Sequence, residues 1–347
     1  MEPITHFLTG ACLGRAGLNR KTALATATLT LAAEAPDIDV LGRFGGPAFG
    51  FAHHRGFTHS FLGVPLVAAA AVLVIYGVWR MRGRKLKNPQ LPPRWGLLSL
   101  YACLAGLSHI LLDFTNNYGV RPLWPFSERW FSWDIVFIVE PLILLFLLAG
   151  LLLPSFFSLI NEEIGSRSRG LKGRLAATLA LVGVVLIWGV RDFEHRRAVS
   201  ALQSRLYRGA EPVRASAYPY WVNPFRWSGV VETRDFFAVV PVDSFTPEVD
   251  REDRMSIHIK PEETPATLAA KKSYLGRVYL DWAQYPIAEV EHRPDSEAAY
   301  IVSFHDLRYE YAGLGRRPLS SGVELDKNLL PIAEIFGTQV RRLDSGK

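Results

Sequence analysis

The chain has 347 residues, 49% of them apolar, a net charge of +6 and two cysteines. That length accommodates two domains. The basic residues gather in short loops, no nucleic-acid-binding motif is present, and Cys12 and Cys103 lie in apolar stretches, so a nucleic-acid partner, a disulfide framework and a thiolate metal site are all unexpected.

Residues 1–190 hold nearly all the long apolar runs, whereas 191–347 read as a soluble sequence. The first residues lack a basic n-region and a cleavage signature, so no removed signal peptide is expected. Residues 4–14 and 22–35 are apolar, but each is too short to cross a ~30 Å hydrocarbon core at 1.5 Å per residue. Arg15, Arg20 and Lys21 lie between them, where charge inside a continuous span would be costly. The expectation is therefore an N-terminal hairpin of two half-length helices, which returns Asp37 to the side of His6; a single kinked span would separate them. A Gly-rich loop over 40–52 leads to His53-His54-Arg55-Gly56-Phe57-Thr58-His59-Ser60, where Gly56 is expected to permit a turn. Four spans follow, at 61–79, 95–114, 135–153 and 175–190. The loop 80–94 carries Arg80, Arg82, Arg84, Lys85, Lys87 and Arg94 with no acid, and 154–174 carries Arg167, Arg169, Lys172 and Arg174. The positive-inside rule makes both cytoplasmic, so loop 115–134, the histidine stretch and the soluble tail fall outside, in the periplasm of a Gram-negative cell.

The predicted fold class is mainly α: a multi-span membrane domain over 1–190, a helical linker over 191–215 and a small α+β domain over 216–347. In the tail, 216–227 reads as irregular, 229–242, 254–260, 286–293 and 298–309 as strands of an antiparallel sheet, and 265–283 as one helix.

His59 opens the first span, while His109 and Asp113 close the second. Antiparallel helices joined by one loop bring those ends to one face of the membrane. His109 and Asp113 are four residues apart and share a helical face, roughly 5–6 Å between Cβ atoms. Asp37 and Asp39 reach that face through a loop, and the hairpin adds His6. His53 and His54 are adjacent, so at most one points inward. Each residue also has an ordinary reading: a histidine near a helix end is commonly interfacial, and Asp37 can simply end a helix after Pro36. Five of the nine histidines nevertheless converge on one face, which favours a metal site. Imidazole and carboxylate without thiolate suit Zn²⁺, with Mn²⁺ or Fe²⁺ as alternatives, and the donors suffice for one or two ions. A bound metal would polarise a phosphoryl or carbonyl oxygen and lower the pKa of its water to about 7, which is hydrolytic chemistry. The Arg55 fork matches an anionic phosphate oxygen. Asp134 opens the third span, and Glu140 lies six residues deeper, about 9 Å at helical rise. A carboxylate that deep is expected to support a ligating histidine by a hydrogen bond. His195, His258, His292 and His305 read as ordinary.

Pro36-Asp37-Ile38-Asp39, His54-Arg55-Gly56-Phe57-Thr58-His59-Ser60 and Ser108-His109-Ile110-Leu111-Leu112-Asp113, followed by Gly119 and Leu123-Trp124-Pro125, resemble the bacterial inner-membrane metal-dependent hydrolases of the YdjM-like family over roughly residues 1–155. The order of His, Asp, His and His-x-x-x-Asp is also similar, more distantly, to zinc-dependent phospholipase C and P1-type nucleases. The resemblance implies phosphoester hydrolysis, with Asp37, His59, His109 and Asp113 around one metal and Asp113 bridging to a second near His6. It also favours His54 over His53 as a ligand. The expected metal ligands are thus His6, Asp37, His54, His59, His109 and Asp113, with Arg55, Asp39 and Glu140 as catalytic residues. The expected protein is a multi-pass inner-membrane hydrolase in contact with lipid and acting on a small or lipid-linked substrate. The alternatives are a metal-ion or proton transporter and an anchor that presents the C-terminal domain.

Overall fold

The computed structural model describes residues 1–86, 88–163, 173–221, 223–246, 248–249, 254–311 and 318–343. Lys87, Arg167, Arg169 and Lys172, which entered the charge argument, lie outside the described residues. The chain divides into two compact units: Met1–Asp39, Arg55–Phe193 and Trp221–Pro224 form the first, and Val40–His54, Glu194–Tyr220 and Phe225–Lys347 the second.

The first unit begins with α1 (Pro3–Arg15), a short 3-10 turn (Leu18–Arg20) and α2 (Ala25–Glu34). Glu2 caps α1 by accepting from the Thr5 N–H at 3.1 Å, and Pro3 occupies the first turn, where its missing N–H costs nothing. The two helices meet backbone to backbone: a Cβ at Gly10 would lie 2.6 Å from the Leu29 carbonyl oxygen and 2.8 Å from Thr30 Cα. Small residues permit this approach between apolar helices. A 3-10 segment (Ala35–Gly45) carries the chain out of α2.

α3 (Pro47–His53) belongs to the second unit. It replaces the loop expected over 40–52, because Pro47 starts a helical turn after Gly46, whose φ of +110° only glycine adopts easily.

α4 (Gly63–Met81), α5 (Trp95–Thr115), α6 (Pro141–Glu163) and α7 (Gly173–Gln203) complete the first unit's helices, with α7 running on into the second. Among the described residues, four segments, Gly63–Met81, Trp95–Thr115, Pro141–Ser158 and Gly173–Gln203, are long and apolar enough to cross a membrane. The third begins later than the expected 135, because a residue before proline is disfavoured in the α region. Residues 135–140 therefore run irregularly, and Glu140 precedes the helix rather than lying inside it. The two larger apolar clusters of the unit join its helices. Ala25, Leu29, Ala32 and Ala33 of α2 pack on Ala68, Ala71 and Val72 of α4 and on Leu98, Tyr101, Ala102 and Ala105 of α5. Leu8 and Cys12 of α1 pack with Leu112, Ile143, Leu147, Ala177 and Val184.

Among the described residues, the second unit contains two five-stranded antiparallel sheets. The first holds β1 (Arg214–Pro219), β2 (Arg226–Glu232), β3 (Phe236–Asp243), β4 (Glu248–Val249) and β5 (Ser256–Ile259), in the order β1-β2-β3-β4 with β5 also paired to β3. After α8 (Pro265–Lys272) and α9 (Tyr274–Trp282), the second holds β6 (Pro286–His292), β7 (Tyr300–Asp306), β8 (Ser321–Leu325), β9 (Pro331–Phe336) and β10 (Gln339–Arg342), in the order β10-β9-β8-β7-β6.

Several expectations change here. The stretch read as irregular from 216 supplies most of β1, whose Pro219 is tolerated at the end of an edge strand. The single strand expected over 229–242 is a hairpin, turned where the Thr233 N–H and hydroxyl both donate to the Phe236 carbonyl. The helix expected over 265–283 is two, because Ser273 takes an extended conformation and accepts from the Gly276 N–H at 3.0 Å, capping α9.

Gly10→Val is expected to overpack the α1–α2 contact and destabilise the first unit by about 1–3 kcal/mol, read as a lowered unfolding midpoint of the detergent-solubilised protein; an unchanged midpoint would contradict the close backbone approach.

Candidate metal centre

His59 ends a single 3-10 turn (Phe57–His59) ahead of α4, while His109 and Asp113 lie one helical turn apart near the end of α5. Asp37 sits in the 3-10 segment after α2. Each comes from an element whose position is fixed by packing, and His59, His109 and Asp113 are fully buried.

The geometry is that of a ligand set. His59 Nε2 lies 2.9 Å from His109 Nε2. It is also 3.4 Å from both Asp37 Oδ1 and Asp113 Oδ2. His109 Nε2 lies 3.5 Å from Asp37 Oδ1 and 3.4 Å from Asp113 Oδ2. One donor atom from each of the four falls within 4.8 Å of the others. Bonds of ~2.0–2.1 Å to a tetrahedral cation require donors ~3.3 Å apart, so the residues already stand close to that spacing.

The outer nitrogens of both rings are engaged. His109 Nδ1 lies 2.6 Å from the Ala33 carbonyl oxygen, which can only accept, so this nitrogen carries a proton. His59 Nδ1 lies 3.1 Å from Asp39 Oδ2 and 3.0 Å from the Thr58 hydroxyl. With the protons on Nδ1, both Nε2 atoms present lone pairs to one another at 2.9 Å. That contact is repulsive unless a proton or a cation lies between them. Burial alone would raise the Asp37 carboxyl; the hydrogen bonds and positive charge that His109 and His59 offer it when protonated at Nε2 outweigh burial and hold the group well below the usual carboxylate range. The centre therefore attracts positive charge, as a divalent cation requires.

Around the four stand four further groups. Asp39 orients His59, and its Oδ2 also accepts from the Arg55 N–H at 2.7 Å and the Thr58 hydroxyl at 3.2 Å. Arg55, not Gly56, is the left-handed residue of the turn, with φ +54°. Its Nη2 lies 2.9 Å from Asp113 Oδ1, and its Nη1 donates to the Gly119 carbonyl at 3.0 Å and to Asn116 Oδ1 at 3.3 Å. Those bonds and the Tyr118 ring, 4.7 Å from the guanidinium, hold a conformation that costs about 1–2 kcal/mol for a side-chain-bearing residue. His6 is fully buried, stacks on His109 at 3.7 Å and lies 3.5 Å from Asp113 Oδ1. Neither of its ring nitrogens has a hydrogen-bond partner among the described residues, so it can donate a lone pair to a second ion next to Asp113. The Met1 amine is also buried against Asp113.

One expected site residue is engaged elsewhere. Glu140 makes a buried ion pair with Arg191 of α7 at 2.7 Å, in place of the expected hydrogen bond to a ligating histidine. His54 caps the end of α3 and belongs to the second unit. His53 stacks on Phe49, with Nδ1 2.9 Å from the Phe49 carbonyl oxygen. Asn116 and Tyr118 were not singled out from the sequence, and Gly119 entered only through the family resemblance. Their signal is their place: they follow Asp113 within one short polar turn, and Gly119 takes a φ of +88°.

Among the described residues, four helices long and apolar enough to cross a membrane, with buried histidines and aspartates gathered at the ends of α4 and α5, mark a membrane protein with a candidate metal centre. The chain belongs to the YdjM inner membrane protein family, which matches residues 1–196. Membership and the four helices support an inner-membrane location. The chain is 30% identical over 159 residues to the uncharacterized protein YfhP of Bacillus subtilis (strain 168), a match covering 44% of this chain and 45% of that protein. No solved structure matches, and the similarity to zinc-dependent phospholipase C and P1-type nucleases is not shown.

Asp39→Asn is expected to weaken Zn²⁺ binding by ~10–100-fold through loss of the group that fixes the His59 ring, with folding retained, as measured by equilibrium dialysis; wild-type affinity would show that Asp39 does not orient a ligand.

Proposed function

We propose that the protein is a membrane-embedded, divalent-metal-dependent hydrolase of phosphoesters, with lipid-linked phosphoesters as its substrate class. The observation that carries this reading is the set of Asp37, His59, His109 and Asp113, with donor atoms within 4.8 Å of one another at apolar helix ends. A divalent cation held there supplies Lewis acidity toward a phosphoryl oxygen and an acidified water. The imidazole and carboxylate donors suit Zn²⁺, with Mn²⁺ or Fe²⁺ as alternatives. His6, whose ring nitrogens have no hydrogen-bond partner among the described residues, offers a donor to a second ion, while Arg55 and the Met1 amine hold the Asp113 Oδ1 edge.

The chain's own residues have distinct tasks in this account. Asp39 and the Ala33 carbonyl set the tautomers of His59 and His109, so that both Nε2 atoms face inward. Arg55 positions Asp113 and supplies positive potential for an anionic substrate oxygen. Glu34, at the end of α2, has its carboxyl pushed up to about 7 by burial and by the Asp37 charge. It is thereby suited to take up and release a proton near neutral pH.

Arg80, Arg82, Arg84 and Lys85 mark one end of α4, and His59 lies at the other. The positive-inside rule assigns the basic end to the cytoplasm and the metal centre to the periplasmic face, where lipid headgroups meet water. A transporter has less support, because Glu140, the acid expected deep in a span, is paired with Arg191 outside the histidine cluster.

The test is turnover of phosphomonoesters, phosphodiesters and lipid-linked phosphates by the detergent-solubilised full-length protein with added Zn²⁺, Mn²⁺ or Fe²⁺. Metal-dependent hydrolysis that falls more than ~100-fold in His109→Ala supports the reading; turnover of none of these substrates, or a His109→Ala protein as active as wild type, overturns it.

A further inference from the structure

The second unit carries another set of metal-ligand types, outside the family match over residues 1–196. His258 lies on β5 of the first sheet, His305 on β7 of the second, and Glu310 directly after a 3-10 turn (Leu307–Tyr309). One donor atom from each lies within 4.8 Å of the others.

Strand register explains the convergence. His258 pairs across the ladder with Phe237, and His305 with Ile287. Paired residues project to the same side of their sheet. Phe237 and Ile287 belong to one buried cluster with Tyr218, Val230, Val239, Tyr285 and Leu307. The two histidines thus face the space where the sheets pack. The segment from His305 to Glu310 is held rigidly. Arg308 is buried, its Nε 2.9 Å from Asp306 Oδ2 and its Nη2 donating to the Trp282 carbonyl at 3.0 Å, with the guanidinium over the Trp282 ring. The Ser228 hydroxyl on β2 donates to the Glu310 carbonyl at 3.2 Å. His258 Nε2 lies 2.9 Å from Glu310 Oε1. His305 is buried, while the side chains of His258 and Glu310 are 17% and 19% exposed, which leaves a route from solvent.

We infer that His258, His305 and Glu310 form a second divalent-metal site that ties the two sheets together. Two imidazoles and one carboxylate suit Zn²⁺, Fe²⁺ or Mn²⁺, and three protein donors leave at least one position for water or an exogenous ligand. The site is independent of the proposed hydrolase chemistry. Without a metal, the same residues are a His258–Glu310 hydrogen bond with a packed histidine beside it.

The experiment is Zn²⁺ equilibrium dialysis of chelator-stripped full-length protein in detergent, with the melting temperature followed in parallel. Glu310→Gln and His258→Ala, at the partly exposed positions, are each expected to hold one Zn²⁺ fewer per chain than wild type and to lose the rise in melting temperature that Zn²⁺ gives wild type. A protein carrying His59→Ala and His109→Ala is expected to retain one Zn²⁺ per chain, which Glu310→Gln then removes. Failure of the first centre is read separately: the double-alanine protein would hold as much Zn²⁺ as wild type, while Glu310→Gln still loses its equivalent. Zn²⁺ stoichiometry and melting response unchanged by Glu310→Gln and by His258→Ala would overturn the inference.

Discussion

Two imidazole nitrogens face one another at 2.9 Å inside an apolar bundle, with the carboxylates of Asp37 and Asp113 beside them. Much of the first unit can be understood as the means of holding that contact. Lone pairs do not settle against each other in a low-dielectric interior, and isolated carboxylates are costly there. The cluster is stable only if positive charge is shared among its members. Arg55 supplies part of that charge through Asp113. A divalent cation at the centre of the four donors would complete it. The alanine-rich contact of α2 with α4 and α5 brings the Ala33 carbonyl to His109. The glycine contact between α1 and α2 accompanies the placement of His6 against the His109 ring.

Four of the candidate donors were legible because simple rules place them. Antiparallel spans joined by one loop must bring their outer ends together, and a four-residue spacing puts His109 and Asp113 on one helical face. What was not legible depends on particular backbone events. Pro141 bars Glu140 from the helix, so the depth computed from helical rise has no meaning there, and the acid meets Arg191 instead. The left-handed turn falls on Arg55 rather than Gly56 because the surrounding hydrogen bonds over-determine it. Asn116 and the Gly119 carbonyl act through a loop conformation that no periodicity announces.

The second unit shows the same limits. Periodicity marked β-rich segments, yet β8, β9 and β10 were missed. β8 and β9 carry Glu324 and Glu334 within their runs, and β10 ends in two arginines, which dilutes the apolar alternation. His258 and His305 read as ordinary for a comparable reason. Strand residues far apart in sequence meet only through register and sheet packing, so no spacing signals them.

The central claim is that His59, His109, Asp37 and Asp113 surround one cation. Anomalous diffraction at the zinc edge, from crystals of Zn²⁺-loaded full-length protein, tests it most directly. The account predicts a peak ~2.0–2.1 Å from both Nε2 atoms and within bonding distance of the two carboxylates. No peak there, with the two rings still in hydrogen-bond contact, would contradict it.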